Sequence, residues 1–400
     1  MSLKLHWFLP TTGDSRSLVG GGHSVPRGIG QGPGAVGSAA QFRPPTIDYL
    51  AQVARTAELL DFDGVLTPTG TWCEDAWLTT AALLRETERL KFLVAFRPGS
   101  LSPTLAAQMA STYQRISGGR LLLNIVTGGE PAEQRRFGDP ATFGSAERYA
   151  RTDEFLTVLR GAWQEQGVDF AGDFYDVADA RVRQAPDPLP QLYFGGSSAP
   201  AGPVAAKHVD VYLTWGEPPE AVAEKIARVR AKAAEHGRED EIRFGIRMHT
   251  ITRDTSAEAW AEADRLLAEI SPEQIATVQD GLRASESEGQ RRMLDLNAGS
   301  KDGLEVHPNV WAGVGLVRGG AGTALVGSHE EVADRIEEYH AVGIDEFVLS
   351  AYPHLEGAYW FGEGVLPILA ERGLWSHPAP RTARRQAVPF QQAGRTAAAS

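Results

Sequence analysis

Eight short apolar segments recur along the 400-residue chain, and a longer segment with helical character follows each of them. The segments are 3–10, 64–68, 91–98, 121–128, 191–196, 209–216, 243–252 and 346–353. They lack the strict alternation of polar and apolar residues that marks a strand with one face in water. The pattern therefore predicts strands that are buried on both faces, as in a parallel sheet.

Three of the intervening segments carry clear helix signals. Residues 46–60 and 219–236 place apolar side chains on one stripe with helical spacing, and Gly237 follows the second as a stop signal. Ser328 and Glu331 form a capping box that opens a third helix. Strands that alternate with helices form either a (β/α)8 barrel or an open doubly wound sheet. The eight strands and the chain length favour the (β/α)8 TIM barrel, an α/β fold.

Two segments exceed what a minimal barrel requires. Residues 13–45 are rich in Gly, Pro and Ser and follow the first strand, and residues 253–327 separate the seventh strand from the eighth. We therefore expect a single domain over 1–375 with insertions after strands 1 and 7, the second of which, 253–327, serves as a lid. Residues 376–400 are rich in Pro, Ala, Gln and Arg, which predicts a flexible tail.

Composition limits the classes of function. The formal net charge of −12 argues against nucleic acid or an anionic membrane as the main partner, because both require a basic surface. The sequence contains no run of about 18 apolar residues, so no membrane span is predicted. Residues 1–10 lack the features of a signal peptide. The single cysteine, Cys73, excludes an internal disulfide and a zinc site built from several cysteines. We expect a cytoplasmic protein.

Polar and aromatic side chains follow most of the predicted strands. Barrel enzymes carry their chemistry at the carboxyl ends of the strands and in the loops beyond them. The candidates at these positions are Trp7, Thr69, Cys73, Arg97, Asn124, Thr127, Ser197, Ser198, Thr214, Trp215, Arg247, His249, Tyr352 and His354. Arg247 and His249 are two positions apart, so they are predicted to face the same side of their strand.

Each candidate also has a purely structural interpretation. Cys73 could be a small buried side chain, His249 could be a hydrogen-bonded core histidine, and Tyr352 with His354 could simply cap the barrel. An arginine inside an apolar strand is costly unless it is paired, which favours a functional role for Arg247. The sequence GGSS at 195–198 precedes a helix and predicts an anion cradle, although this motif alone is weak.

The sequence lacks the motifs of several other chemistries. It has no HExxH, no cluster of His and Cys with metal-ligand spacing, no Walker loop and no GxSxG. The segment GVGLVR (313–318) departs from the dinucleotide-binding pattern because arginine replaces the last glycine. A pocket of Arg, His, Tyr, Cys, Trp and Asn suits an organic cofactor that carries the difficult chemistry.

A set of segments distributed over the chain resembles one family of enzymes. The segments are HWFLPTTGDSR (6–16), GVLTPTGTWCEDAW (64–77), KFLVAFRPG (91–99), LLLNIVTGG (121–129), ERY (147–149), LYFGGSS (192–198), VYLTWGEPP (211–219), RFGIRMH (243–249), WAGVGLVRGGAGTALVG (311–327) and SAYPHLE (350–356). They are similar to the bacterial FMNH2-dependent alkanesulfonate monooxygenases of the luciferase-like superfamily, from about residue 3 to about residue 370.

This resemblance implies a (β/α)8 barrel that receives FMNH2 from a separate NAD(P)H-dependent flavin reductase. Such an enzyme uses O2 to convert an organosulfonate to an aldehyde and sulfite, and so serves sulfur metabolism. The resemblance also implies a homodimer or a homotetramer.

The resemblance implies roles for individual residues as well. The implied catalytic residues are Cys73, Arg247, His249, Arg318 and Tyr352. The implied cofactor-binding residues are Asn124, Thr127, Tyr149, Ser197, Ser198 and Trp215. The implied substrate contacts are Trp7, Arg247, Arg318 and His354, and no metal is implied.

The segment 311–327 combines six glycines with a single charge, Arg318. Glycine hinges and an apolar inner face would let it close over the site and exclude water. Arg318 would then hold a sulfonate or stabilise a developing negative charge. The alternative is a glycine-rich structural turn with a surface arginine.

Three features depart from the family pattern. The C-terminal tail shows no clear match to it. The stretch at 14–43 is longer than the family's usual connection, and Trp72 is a large residue directly before Cys73. They leave the substrate open, so a monooxygenase for methanesulfonate, a sulfone or another substrate is an alternative. Two further alternatives are a deazaflavin-dependent hydride-transfer enzyme and a non-catalytic flavin-binding barrel.

Overall fold

Fourteen strands and twelve α-helices are formed by the residues that the computed structural model describes, which are 2–18, 42–128, 131–138 and 143–378. The strands are β1 Lys4–Phe8, β2 Gly64–Thr67, β3 Lys91–Phe96, β4 Leu121–Ile125, β5 Val168–Ala171, β6 Asp176–Ala180, β7 Leu192–Phe194, β8 Val211–Trp215, β9 Arg243–Arg247, β10 His249–Arg253, β11 Glu305–His307, β12 Val310–Trp311, β13 Ala324–Ser328 and β14 Glu346–Leu349. The helices are α1 Ile47–Leu59, α2 Ala76–Leu83, α3 Pro103–Ser117, α4 Pro131–Arg136, α5 Ser145–Gly161, α6 Ala201–His208, α7 Pro219–Ala234, α8 Ser256–Ala268, α9 Pro272–Arg283, α10 Glu288–Asn297, α11 His329–Ala341 and α12 His354–Glu371.

Eight of these strands close into a barrel. Their order around the ring is β1-β14-β9-β8-β7-β4-β3-β2, and β2 pairs with β1 to complete it. Every neighbouring pair in the ring is parallel. The predicted (β/α)8 barrel and its eight strands are therefore confirmed.

The predicted seventh strand, 243–252, is in fact two strands. β9 ends at Arg247, whereas β10 begins at His249 and pairs with β13 in the four-stranded sheet β10-β13-β12-β11 beside the barrel. The partner changes because the His249 amide donates to the Thr323 carbonyl at 2.8 Å, while the Met248 amide donates to Val348 at 3.1 Å. A local apolar run could not reveal this change of partner.

The barrel strands carry two cores, one on each face. The barrel interior is filled by Phe8, Leu66, Leu93, Leu122, Tyr193, Val211, Leu213 and Val348. The opposite face packs against the helices, and Trp7 lies there between Phe62 and Phe361. Successive side chains of a strand point to opposite faces, so Phe8 faces the interior and Trp7 faces the helices.

A buried ionic cluster lies near the amino-terminal end of the barrel. Glu346 accepts hydrogen bonds from the Tyr193 hydroxyl at 2.7 Å and from Arg243, and its carboxylate lies 3.1 Å from His6 Nε2. Burial acts to raise the pKa of Glu346, but the hydrogen bond and charge of His6 and the charges of Arg243 and Lys4 hold it at about 2. The cluster joins β1, β7, β9 and β14 at the end of the barrel that lies away from the strands' carboxyl ends.

The first insertion leaves and rejoins the fold at one point. The backbones of Asp14 and Arg43 pair through hydrogen bonds of 2.9 and 2.7 Å. The Asp14 carboxylate also accepts from the Tyr49 hydroxyl of α1 and, at 2.8 Å, from the His354 amide at the start of α12. This arrangement closes the insertion at its base, which we call the neck, and ties the neck to two helices.

Parts of two predictions fall outside the described residues. These parts are 19–41 of the 14–43 insertion and 379–400 of the 376–400 tail. The single domain over 1–375 and the lid at 253–327 stay predictions.

The second insertion packs around a core of its own. Helices α8 and α9, the sheet β10-β13-β12-β11 and the short 3-10 helix Gly313–Leu316 contribute its buried side chains, which include Ile251, Ala263, Leu266, Ile275, Trp311 and Leu316. This core places α9 and α10 above the carboxyl ends of β7 and β8, where Gly289 of α10 lies against Trp215.

Candidate active site

Two adjoining cavities open at the carboxyl ends of the barrel strands. The barrel cavity has a volume of about 840 Å³ and is bordered by Phe8, Leu66, Pro68, Thr69, Trp72, Ala95, Asn124, Ile125, Val126, Gly195, Leu213, Trp215, Arg247 and 318–321. The side cavity has a volume of about 800 Å³ and is bordered by 126–128, Ser145, Arg148, Tyr149, 195–198, 213–215 and 285–290. Val126, Gly195, Leu213 and Trp215 border both, so the two cavities form one cleft.

The predicted cofactor-binding residues all border this cleft. Thr127, Tyr149, Ser197 and Ser198 border the side cavity, Asn124 borders the barrel cavity, and Trp215 borders both. They come together because the carboxyl ends of parallel strands meet at one end of a barrel.

Arg247 and Arg318 form a pair of buried cations at the wall of the barrel cavity. Their guanidinium carbons lie 4.7 and 5.6 Å from the centre of the same ring, that of Phe8. Arg247 donates to the Met248 carbonyl and, at 2.8 Å, to the Ser350 hydroxyl, and Arg318 donates to backbone carbonyls of its own segment at 3.2 and 3.4 Å. Within the described part of the chain, neither guanidinium forms an ion pair with a carboxylate.

The two charges repel each other in a dry environment. Burial and the charge of Arg318 lower the pKa of Arg247 well below its ordinary value. An anion placed between the two guanidiniums would relieve this repulsion and form charge-assisted hydrogen bonds. The geometry therefore favours a bound anion at this wall.

His249 connects to Arg247 through Ser350. The Ser350 hydroxyl accepts from Arg247 and lies 2.7 Å from His249 Nδ1, and His249 Nε2 lies 3.1 Å from the Ala321 carbonyl. A carbonyl can only accept, so Nε2 carries the proton and Nδ1 accepts from the hydroxyl. Burial and the nearby charges of Arg247, Arg318 and His354 lower the pKa of His249 well below its ordinary value, so the ring is neutral.

Tyr352 lies between two histidine rings. It stacks on His249 at 5.5 Å with an angle of 19° and meets His354 edge-on at 5.5 Å. Burial raises the pKa of Tyr352, although the charges of Arg318 and Arg247 oppose the shift. The phenol is therefore protonated at neutral pH and can donate a proton from its oxygen.

His354 is held by Asp14. The imidazole Nδ1 lies 2.9 Å from the buried carboxylate, and the ring lies 5.7 Å from that of Phe8. Burial acts to raise the pKa of Asp14, but the charge of His354 and hydrogen bonds from His354 and Tyr49 lower it. The carboxylate is therefore ionised and fixes the orientation of the imidazole.

Five predicted site residues border neither cavity. His249, Tyr352 and His354 lie behind the wall and reach the cleft only through Arg247, Arg318 and Phe8.

The other two, Trp7 and Cys73, lie away from the cleft. Trp7 faces the helices, where its Nε1 donates to the His354 carbonyl at 3.0 Å, so the prediction that it contacts substrate does not fit its position. The Cys73 Sγ lies 3.5 Å from the Gly70 carbonyl, and Cys73 borders neither cavity, whereas its neighbour Trp72 does. Burial raises the pKa of Cys73 to about 12, so the thiol stays protonated.

The glycine-rich segment 311–327 is buried throughout. Gln279 of α9 donates to the Gly315 carbonyl at 2.9 Å, and Gln290 of α10 accepts from the Gly320 amide at 2.9 Å. A methyl group on Gly322 would lie 2.8 Å from the Gly315 backbone, so glycine here permits two stretches of backbone to touch. The alternative of a turn with a surface arginine is wrong, since Arg318 is only 9% exposed.

Three helix starts and a glycine pair surround the side cavity. Ser145, Arg148 and Tyr149 come from the first turns of α5, 195–198 precede α6, and 287–290 open α10. A methyl group on Gly196 would lie 2.9 Å from the Tyr149 hydroxyl. The buried Ser198 hydroxyl has no hydrogen-bond partner among the described residues. Backbone amides at helix starts and a free hydroxyl suit an anionic oxygen ligand.

Sequence reasoning missed several residues of this site. Phe8, Arg148 and Ser350 were not selected, and neither were the two carboxylates, Asp14 and Glu286. Phe8 could have been found by alternation, because it follows Trp7 in β1. The others carry no local signal, because their partners are distant in the sequence.

Two kinds of feature are absent from the described residues. No group of three or more His, Cys, Asp or Glu side chains there could hold a metal ion. No helix in that part of the chain is both long and apolar enough to cross a membrane.

A closed barrel of eight parallel strands with a polar cleft at their carboxyl ends defines a TIM-barrel enzyme. More narrowly, the chain belongs to the luciferase-like monooxygenase family, whose model matches residues 3–346. Its class of chemistry is therefore that of an oxidoreductase.

Solved structures share this fold over nearly the whole chain. A riboflavin lyase, RcaE, with modified FMN and riboflavin has a TM-score of 0.75 at 21% identity, over 95% of this chain and 94% of that chain. The long-chain alkane monooxygenase LadA has a TM-score of 0.74 at 20% identity, over 97% of this chain and 95% of that chain. DmoA from Hyphomicrobium sulfonivorans has a TM-score of 0.75 at 20% identity, over 96% of this chain and 91% of that chain. At such identities the likeness concerns the fold.

Proposed function

We propose that this protein is a two-component, FMNH2-dependent monooxygenase that desulfonates alkanesulfonates to an aldehyde and sulfite. The observation that carries the proposal is the pair of Arg247 and Arg318, buried guanidiniums at the wall of one largely apolar cavity. A monoanionic head group with an apolar tail complements such a cavity in both charge and polarity.

The residues of the cleft fit a flavin mononucleotide. The hydroxyls of Thr127, Tyr149, Ser197 and Ser198 and the guanidinium of Arg148 would hold its phosphate in the side cavity. Asn124 and Trp215 would hold the remainder of the cofactor, since they border the barrel cavity into which the side cavity opens. Reduced FMN, when bound, supplies the electrons that activate O2.

The chain itself binds, orients and shields the substrate. Arg247 and Arg318 bind the sulfonate, while Phe8, Leu66 and Trp72 border the space for the alkyl tail. Tyr352 keeps a proton on its oxygen near the two guanidiniums, because burial raises its pKa. The buried segment 311–327 excludes water from this wall, which strengthens the electrostatic interactions inside.

Two partners belong to this proposal. A separate NAD(P)H-dependent flavin reductase supplies the reduced FMN, and we place both enzymes in the cytoplasm. Further copies of this chain form a homodimer or homotetramer.

Sulfite release tests the proposal directly. The protein is supplied with FMN, NAD(P)H, a flavin reductase and air, and is offered sulfonates from methanesulfonate to decanesulfonate. Sulfite that requires both enzyme and sulfonate supports desulfonation, and the length profile identifies the preferred tail. No sulfite from any member, with FMNH2 binding intact, would assign the protein to another substrate.

The same reconstitution separates the alternatives. A sulfone added to the panel tests a different sulfur substrate within the family. A deazaflavin offered in place of FMN tests hydride transfer without O2. Tight binding of oxidised FMN with no turnover would indicate a non-catalytic flavin-binding barrel.

A further inference from the structure

The cation at the side cavity is already paired within the chain. Among the described residues that border this cavity, Arg148 is the only basic one. Its Nη2 lies 2.9 Å from the Glu286 carboxylate, its Nη1 donates to the Phe143 carbonyl at 2.8 Å, and its buried Nε has no partner in the described chain. A phosphate entering the cavity therefore meets a guanidinium that a carboxylate already occupies.

Glu286 is placed to be displaced. It lies in the short connection between α9 and α10 and borders the side cavity, and its side chain is 47% exposed, against 4% for Arg148. An ion pair with one partner half in water is screened and weak. A phosphate offers the guanidinium more charge and more acceptor oxygens than a carboxylate does.

The neighbouring carboxylate behaves differently. Glu288 also borders the side cavity, but it is paired with Arg291 and Arg292. Glu286 has only Arg148 as a basic partner in the described chain. When a phosphate takes Arg148, Glu286 becomes an uncompensated negative charge beside another anion.

We propose that Glu286 sets the affinity and selectivity of the side cavity for phosphorylated ligands. It holds Arg148 when the cavity is free and releases it when a phosphate binds, so its charge weakens phosphate binding. The inference rests on the proposed function, because that assigns the side cavity to the phosphate of FMN. Beyond that function, it identifies Glu286 as the residue that limits phosphate binding in the side cavity.

The test compares FMN with riboflavin, which differ only in the phosphate. In Glu286→Gln the Kd for oxidised FMN should fall about tenfold, because a like charge beside the phosphate has been removed. The Kd for riboflavin should stay within about twofold of the wild-type value. Inorganic phosphate should also compete with FMN more strongly in the variant. Flavin fluorescence and calorimetry measure all of these without turnover.

Asp280→Asn is the matched control. Asp280 lies on α9 and borders neither part of the cleft, and among the described residues its ion pair is with the surface residue Arg283. This change removes the same charge from the same insertion, so the Kd for FMN should not respond. A general electrostatic effect would move both variants alike and would overturn the inference.

Arg148→Gln, alone and with Glu286→Gln, completes the cycle. The gain in FMN affinity should vanish without Arg148, because Glu286 acts through that guanidinium. A gain that persists, a weaker Kd for FMN in Glu286→Gln, or a wild-type protein that binds riboflavin as tightly as FMN would each refute the inference. Sulfite release is scored separately, so selective FMN binding without sulfite would refute the proposed function and leave this inference standing.

Discussion

Arg318 keeps its charge available to a ligand because, in the described part of the chain, it bonds to backbone carbonyls and Tyr352 and forms no ion pair with a carboxylate. A carboxylate in this position would neutralise the guanidinium and close the wall to an anionic substrate. The sequence predicted a role for this arginine from its isolation among glycines. It could not predict that the guanidiniums of Arg247 and Arg318 both contact the ring of Phe8. Arg247 lies at the end of β9, whereas Arg318 lies in the loop before β13.

Removing Arg318 should impair turnover far more than folding. In Arg318→Ala we expect kcat for sulfite release to fall about 10² to 10³-fold, or ~2–4 kcal/mol of transition-state stabilisation, because a fixed charge at the anion is lost. Arg318→Lys should recover part of the rate. Arg291→Ala, which removes a 67% exposed arginine from α10, is the control. Full sulfite production by Arg318→Ala would exclude this role.

Glu346, at the opposite end of the barrel, affects the free energy of unfolding and not turnover. Its pKa of about 2 lies below the ordinary value of 4.5, so folding favours the ionised form. This contribution is complete above about pH 4.5 and is lost as the pH falls towards 2. In Glu346→Gln the free energy of unfolding should drop by about 3 kcal/mol at pH 7, because Tyr193, Arg243 and His6 lose the carboxylate charge with which they interact.

Urea denaturation at several pH values checks this expectation. The difference between wild type and Glu346→Gln should shrink as the pH falls from about 4.5 towards 2. Glu235→Gln, on the surface where solvent screens the pairing with Lys232, should leave the dependence of stability on pH nearly unchanged. A difference that is the same at low and neutral pH would mean that packing, and not the charge, stabilises this cluster.

At the scale of elements, the close contact of Gly315 and Gly322 folds the segment 311–327 back on itself beside the cleft, where the Gly315 amide donates to the Gly322 carbonyl at 2.8 Å. Gly322→Ala should push these backbones apart at a cost of about 1–3 kcal/mol. The loosened segment should admit water, so we expect more hydrogen peroxide for each sulfite formed. Gly202→Ala, where the nearest atom is 3.8 Å away, is the matched control. An unchanged ratio of peroxide to sulfite would show that this contact does not seal the site.

The elements that the sequence predicted are those that local pattern determines. Each barrel strand is a short apolar run, and the capping box at Ser328 opens α11 as expected. The division of the seventh strand was missed because it depends on the distant Thr323 carbonyl. Ile47 belongs to the apolar stripe predicted for 46–60 but is 46% exposed, because it is the first residue of α1.

At the scale of the whole molecule, the cleft is assembled by contacts between distant parts of the chain. Asp14 and His354 are separated by 340 positions, and Arg148 and Glu286 by 138. Periodicity and spacing carry no information about such pairs. The resemblance to a family indicated candidate cofactor-binding residues, and these border the cleft. Only the fold shows which carboxylates contact the histidine and arginine side chains of the site.

The neck formed by Asp14 and Arg43 leads to a final prediction about the first insertion. Because the two backbones pair directly, the barrel does not need a particular chain length beyond them. We expect that replacing 19–41 with about eight Gly and Ser residues, long enough to reconnect the ends, changes the loop-closure free energy by less than about 1 kcal/mol. The melting temperature should then stay within a few degrees of the wild-type value.

Adding Asp14→Ala to this variant should have a much larger effect. The Asp14 carboxylate accepts from both Tyr49 and His354, so its loss leaves buried polar groups without their partner and detaches the neck from α1 and α12. Calorimetry of the two variants and of Asp14→Ala alone measures the separate contributions. If replacing 19–41 destabilised the protein more than Asp14→Ala did, the insertion itself, and not its neck, would be the part that supports the barrel.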